Sequence, residues 1–404
     1  MISLVDIQSA GKLLNGRVLR TPLVYSPTFS EMTGAQVYLK LENLQKGGSF
    51  KIRGATFKIL SHLDEIEGKG VIAASVGNHA QGVALAARAV SVPATIIMPV
   101  WATLTKQLAT RGYGAQLILE GQSLVESISV GQQMAVETGR TFIHPYDDEE
   151  VITGQGTIGL EIMEDLPDAD YILVPVGGGG LIAGIATAAK TIRPAIRVVG
   201  VQSSACPSAI EAVKAGRPVE LKAEEMGSLA DAIMVTRVGD AAFSIIQKLV
   251  DEIVMVNEDQ IASAVLMLLE RKRILAEGAG AVPLAALLGG VLEIAKGSRV
   301  VLVISGGNVD SLILDRIIAK GLLREGRMMR FSVCLEDVPG SLARLLGLIA
   351  SLQANVVHIH HARNQWGLPI NFTQVDLELE TKGFGHIKEI EEAMKRAGYR
   401  LNLR

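Results

Sequence analysis

A lysine set among aromatic, small and apolar neighbours, Ser49-Phe50-Lys51-Ile52-Arg53-Gly54-Ala55, is the first group in this chain suited to act as a reagent. Desolvation disfavours the ammonium ion, and a neutral amine can form an imine with an aldehyde. Three glycine-rich stretches downstream could serve the same chemistry. Ser75-Val76-Gly77-Asn78-His79-Ala80-Gln81-Gly82 offers backbone N–H groups and short polar side chains at a helix start, a setting that favours an anion such as a carboxylate. Gly177-Gly178-Gly179-Gly180-Leu181 can close N–H groups around a phosphate with a helix dipole aimed at it. Four glycines cost backbone entropy and add no packing, so a ligand is a reason to have them. Ser305-Gly306-Gly307-Asn308 places a hydroxyl at the end of an apolar run. Gly154-Gln155-Gly156-Thr157 reads equally as a second lining turn or an ordinary loop. Taken singly, each stretch also fits a plain helix cap or strand-to-helix turn.

The Gly177 stretch is not a Walker loop, because no Lys-Ser/Thr follows it. Nor is it the dinucleotide fingerprint, whose last glycine would fall on Ile182. A small phosphate-bearing cofactor is expected in preference to a nucleotide.

Positioning these residues requires strands that end where the glycines begin. Short apolar, β-branched runs recur along the chain: YLKLE, GVIAAS, ATIIMP, AQLILE, YILVPV, RVVGVQ, EIVMV and RVVLVIS. Helical patterns such as HAQGVALAARAV and FSIIQKLV lie between them. That alternation predicts an α/β fold with parallel sheets covered by helices on both faces. In such sheets ligands collect at the carboxyl ends of strands, where the glycine stretches sit. The uncharged window Tyr171 to Ala189 contains Pro175 and the four glycines, so it reads as strand, turn and helix and not as a membrane span.

At 404 residues two or three domains are expected. Apolar residues make up 49% and charged residues 20%, a globular composition. A net charge of −3 without a basic run argues against nucleic acid as partner. Cys206 and Cys334 are far apart and form no CxxC, which fits a reduced, cytoplasmic setting. The N-terminal MISLVDIQSAGKLL has no apolar region ending in a cleavage site, so no signal peptide is expected.

Together and in this order, SFKIRGA, SVGNHAQG, GGGGL and SGGN resemble the fold-type-II pyridoxal-phosphate enzymes over about residues 15 to 320. The pattern is most similar to the threonine dehydratase (threonine ammonia-lyase) branch, which also holds serine dehydratases and serine racemases. The resemblance implies a large domain of residues 1–69 and 150–322, with a small domain, 70–149, inserted in it. It implies that Lys51 carries pyridoxal 5'-phosphate and serves as base at the substrate Cα, and that Phe50 packs beside the ring. Asn78 would meet the ring's phenolic oxygen, and Gly177, Gly178, Gly179, Gly180 and Leu181 would hold the phosphate. Ser75, Gly77, Asn78 and His79 would frame the substrate carboxylate, with Ser75 or the cofactor phosphate as proton carrier to the leaving group. Ser305 would face the pyridine nitrogen. A hydroxyl there, unlike a carboxylate, does not stabilise a pyridinium, which favours β-elimination over transamination. The implied reaction takes L-threonine to 2-oxobutanoate and ammonia.

Three positions depart from the family pattern. Val76 replaces a common alanine, and Ala232, in Ser228-Leu229-Ala230-Asp231-Ala232, replaces a usual glycine. Gln202 stands where relatives commonly have a glutamate of a cation site, so no metal ligands are assigned. Serine dehydration or racemisation remains open, because one methyl group is worth only about 1–3 kcal/mol of discrimination. A non-catalytic amino-acid sensor would be marked by loss of the lysine or phosphate loop, and both are present.

Residues 329–404 carry a βαββαβ pattern with DVPGSL and ANVV, and resemble an ACT domain, a small amino-acid-sensing module. The resemblance implies effector binding, for example isoleucine, around Gly340 and Asn355, with side-by-side pairing in a homodimer or homotetramer. His358, His360 and His361 lack the companions of a tetrahedral site and are expected as a polar strand edge.

Overall fold

The computed structural model describes residues 2–221, 227–363 and 368–403. The chain divides into two compact units, Met1–Asp310 and Ser311–Arg404.

Among the described residues the first unit holds strands β1 (Leu23–Tyr25), β2 (Gln36–Leu41), β3 (Val71–Ala74), β4 (Ala94–Met98), β5 (Gln116–Leu119) and β6 (Thr141–Phe142). It continues with β7 (Tyr171–Pro175), β8 (Arg197–Ser203), β9 (Glu252–Val256) and β10 (Arg299–Ile304). One sheet has the order β1-β2-β10-β7-β8-β9, parallel except for β1. A second, wholly parallel sheet has the order β5-β4-β3-β6 and lies within residues 71–142. All eight expected strands are present. The unexpected β1 and β6 have three and two residues, too few to show a pattern. β10, buried from Val300 to Ile304, lies between β2 and β7, so its end reaches the middle of the larger sheet.

The Gly154 stretch is not a lining turn. It lies inside the helix Glu149–Asp165, whose N-terminus is capped by Asp148. The physical reason for its glycines is close helix packing. A Cβ on Gly154 would meet Gly54 Cα at 2.7 Å, and one on Gly156 would meet the Gly184 carbonyl at 3.0 Å. The helices Lys51–Ser61 and Gly180–Ile192 are thus both drawn against it, which fixes the direction in which Lys51 and the glycine loop face.

The second unit opens with the helix Ser311–Arg324, which packs along β11 (Met328–Glu336). The expected end of the large domain at residue 322 therefore falls inside a helix of the second unit. Then follow the helix Ser341–Ser351, β12 (Asn355–Ala362), β13 (Phe372–Glu380), the helix Phe384–Arg396 and β14 (Leu401–Leu403). The sheet is antiparallel, in the order β12-β13-β11-β14. Alternation buries Phe331, Val333, Val375 and Leu377 against Leu345, Ile349, Ile390 and Met394 of the two helices. Among the described residues no helix is long and apolar enough to cross a membrane.

Candidate active site

Lys51 opens the helix Lys51–Ser61 at the carboxyl end of β10. The preceding loop is tied there by two backbone contacts: Phe50 N donates to Ser305 O at 3.1 Å, and Ser49 bridges Gly306. Lys51 Nζ donates to Pro145 O at 2.7 Å and lies 5.2 Å from the Phe50 ring centroid. Burial lowers the amine to about 8, against an opposing pull from the Glu277 carboxylate. Ser305 itself is buried.

The second expected stretch follows β3 and leads into the helix Asn78–Ala89. Gly77 N donates to Ser75 Oγ at 3.2 Å. Asn78 is buried and its Nδ2 donates to Glu277 Oε1 at 2.7 Å. His79 Nε2 donates to Ile143 O at 2.9 Å, while its buried Nδ1 has no partner among the described residues. Burial, with the Lys51 charge nearby, drops the imidazole to about 3. The His79 side chain is therefore neutral at physiological pH and brings no positive charge to a carboxylate.

Gly177 to Gly179 continue from β7, and Gly180 and Leu181 begin the helix Gly180–Ile192. Gly179 has φ +92°, a conformation that side chains rarely adopt. A Cβ on Gly178 would strike the Tyr146 ring, and one on Gly177 would meet Ile233 Cα at 3.0 Å. Backbone N–H groups, not side chains, must therefore line this cup.

Sequence reasoning missed three contributors. Glu277 immediately precedes an uncharged, buried helix, Gly278–Leu288, without a side-chain bond to its N-terminus, and its carboxyl is pushed up to about 8 by burial first and by Asp231 second. An isolated acid directly before an apolar helix was its available signal. Asn308 Nδ2 donates to Asn78 Oδ1 and to Gly47 O, both at 2.8 Å. The segment His144-Pro145-Tyr146-Asp147 walls the site: it receives Lys51 at Pro145, packs Tyr146 on Gly178, and accepts N–H bonds from Asp240 and Ala241 on Asp147.

An amine that loses its charge near pH 8, consecutive N–H groups at a helix start and an uncharged buried hydroxyl suit a phosphate-bearing aldehyde. Comparison with known proteins agrees. The family described as "Pyridoxal-phosphate dependent enzyme" matches residues 14–306. This chain belongs to that family. The L-threonine ammonia-lyase of Thermotoga maritima is 50% identical over 404 residues, the whole of both chains, so the match runs through the second unit. Among solved structures, maize serine racemase aligns with a TM-score of 0.74 at 34% identity, covering 80% of this chain and 99% of its own. The processed form of threonine deaminase isoform 2 from Solanum lycopersicum aligns with a TM-score of 0.73 at 36% identity, covering 78% of this chain and 91% of its own.

In this pyridoxal-phosphate-dependent enzyme the neighbourhood of Gln202 does not fit a cation. Gln202 is buried, and its Oε1 accepts from Ala209 N at 3.0 Å and Ile210 N at 3.2 Å. Its Nε2 donates to Val176 O at 3.3 Å. The amide oxygen faces N–H donors, which a metal ion could only displace. Among the described residues no group of three or more His, Cys, Asp or Glu side chains could hold a metal. Nearby, Glu258 accepts from Ser228 Oγ at 2.6 Å and Leu229 N at 2.7 Å, and Asp231 pairs with Lys106 at 3.0 Å.

The second unit is ACT-like in its βαββαβ order. Gly340 (φ +88°) precedes the helix Ser341–Ser351 and Asn355 follows it. One copy of the enzyme therefore holds these two expected effector residues at opposite ends of an 11-residue helix, itself about 16 Å long at 1.5 Å per residue. His358, His360 and His361 lie on the exposed edge strand β12, with His358 opposite Glu378 and His360 opposite Asp376.

Proposed function

We propose that this enzyme deaminates L-threonine to 2-oxobutanoate and ammonia, also accepting L-serine, under control of an amino-acid effector bound by its second unit. The observation that carries the reading is the Lys51 amine, near neutrality at about pH 8 and held at the meeting point of the three glycine-rich stretches. Bound pyridoxal phosphate supplies a carbonyl that exchanges amines and an electron sink for the bond to the substrate α-hydrogen.

The chain's own groups divide the remaining work. Lys51, once uncharged, takes the Cα proton; the Pro145 carbonyl holds its amine in one direction. N–H groups of Gly177 to Leu181, at the positive end of the helix Gly180–Ile192, hold a phosphate. Phe50 would lie against the ring of the bound group, and Asn78 would donate to its ring oxygen. Ser75, Gly77, Asn78 and His79 bind the substrate carboxylate, His79 through its backbone N–H, since its imidazole is neutral and committed to Ile143. Ser75 Oγ is one of two candidate proton carriers to the departing hydroxyl, the phosphate of the bound group being the other. Ser305, buried at the end of β10, would offer the ring nitrogen a hydroxyl and no negative charge, which favours elimination over transamination.

The absorbance spectrum tests this reading. Purified protein should show a visible band that responds to L-threonine with release of 2-oxobutanoate. A band without oxoacid from threonine, but with D-serine from L-serine, would shift the assignment to racemisation, the activity named for the similar maize structure. A cytoplasmic setting is supported by two free cysteines. Because Gly340 and Asn355 are apart within one copy, we place effector binding between two ACT-like units of a homodimer or homotetramer. A monomer by light scattering at working concentration would overturn that.

A further inference from the structure

The end of β10, the loop before Lys51 and the starts of two helices meet around three side chains: Glu277, Asn78 and Asn308. Their hydrogen bonds run in one direction. The Gly47 carbonyl can only accept, so the contact from Asn308 at 2.8 Å assigns that atom as the amide nitrogen. Its second hydrogen goes to Asn78 Oδ1, also at 2.8 Å, and only a longer contact of 3.4 Å reaches Gln81. The Asn78 amide is thereby oriented with its oxygen toward Asn308. Its Nδ2 must then face Glu277 Oε1, at 2.7 Å. One Asn78 N–H is spent on Glu277, and the other has no acceptor among the described residues.

Glycines make room for this arrangement. A Cβ on Gly306 would collide with Glu277 Oε1, and one on Gly280 would meet Gly306 O at 2.5 Å. Gly48, at φ +75°, has no Cβ to strike Asn308 Oδ1. Glu277 is also held by its backbone, whose N–H donates to Gly306 O at 3.1 Å. Burying a carboxyl costs free energy unless its partners recover it, and this one makes no capping bond to the helix it precedes but accepts from Asn78.

Resting on the function proposed above, we infer that Glu277 is a positioning residue. Its carboxyl oxygen locks the Asn78 amide so that the remaining N–H donates to the ring oxygen of pyridoxal phosphate. Asn308 holds the opposite end of the same amide. Glu277 acts through Asn78.

The test titrates pyridoxal phosphate into apoprotein, with binding read from the visible band and its wavelength, independently of turnover. Glu277→Met removes the acceptor while keeping the volume, and should weaken binding about tenfold or more and displace the band. Glu277→Gln keeps an oxygen that can accept, and should bind within about threefold of wild type. In the double variant Glu277→Met with Asn78→Ala, binding should be no weaker than with Asn78→Ala alone, because the two act as a unit. If Glu277→Met does not fold, Asn308→Ala at the exposed end of the relay carries the test, with the same expected loss. Wild-type binding by the variant tested, losses that add with Asn78→Ala, or a Glu277→Gln loss as large as that of Glu277→Met would each overturn the inference. Failure of the wild-type protein itself to bind pyridoxal phosphate would instead overturn the function on which it rests.

Discussion

Lys51 and Arg53 stand two residues apart on one helix, yet their surroundings give them opposite characters. The Arg53 guanidinium is 1% exposed and fully paired: Nε and Nη2 meet Glu42 at 2.9 and 2.8 Å, and Nη1 and Nη2 meet Glu161 at 2.6 and 3.0 Å. Lys40 joins the same cluster, 2.5 Å from Glu161. Burial alone would lower the Arg53 pKa, but the two carboxylates together raise it, so its charge is permanent. The Lys51 amine meets a neutral carbonyl, and burial prevails over the opposing pull of Glu277, whose own carboxyl is pushed up by burial to about 8. A buried cation with matched carboxylates is structural; one without them gives up its proton and becomes available for chemistry.

Exchanging the two roles should have unequal effects. Lys51→Ala should abolish oxoacid release from threonine while leaving the thermal midpoint of the apoprotein near wild type. A variant that still turned over at the wild-type rate would remove the basis of the comparison. Arg53→Met should act on stability, since it strands Glu42 and Glu161 without their partner; a loss of about 3–5 kcal/mol in urea unfolding is expected. Preserved stability would mean that the ion cluster is dispensable.

Titration sharpens the contrast further. In the apoprotein, an amine-selective reagent should modify Lys51 with a midpoint near pH 8, the amine being protonated and inert below it and reactive above. A midpoint at the ordinary lysine value would show that the amine is solvated. His79 gives a complementary acid-side effect. Its folded pKa, about 3, lies below that of the unfolded imidazole, so the unfolded state binds more protons between them. Folded stability should therefore fall as pH drops through that window, by at most about 1.4 kcal/mol per unit from this group, and His79→Gln should flatten the slope. The smallest effect belongs to the half-buried pair Arg330–Glu378 of the second unit, 2.7 Å apart: Glu378→Ala should cost about 1 kcal/mol.

The strands were legible because parallel sheets buried on both faces leave continuous apolar runs, as in YILVPV and RVVLVIS. The places of Lys51 at a helix start and of the Gly177 stretch between β7 and a helix were legible because they are local features of the chain. Gly154 and Gly156 misled for the same local reason. A glycine that lets two helices touch looks, in sequence, like one that lines a turn, and only the approach of Gly54 and Gly184 distinguishes them. Gln202 raised the right question, but its answer lay in the N–H groups of Ala209 and Ile210 that face its oxygen.

The sequence by itself determined the α/β alternation, the ACT-like tail, a lysine set among apolar neighbours and four consecutive glycines after a strand, because each depends on neighbours within a few residues. Tertiary structure alone decided that Glu277 reaches Asn78 across 199 residues, that Asn308 fixes the other end of that amide, and that Pro145 receives the Lys51 amine from 94 residues away. Hydrogen-bond partners and desolvation are set by distance in space, and a linear pattern carries that distance only where the chain folds back locally.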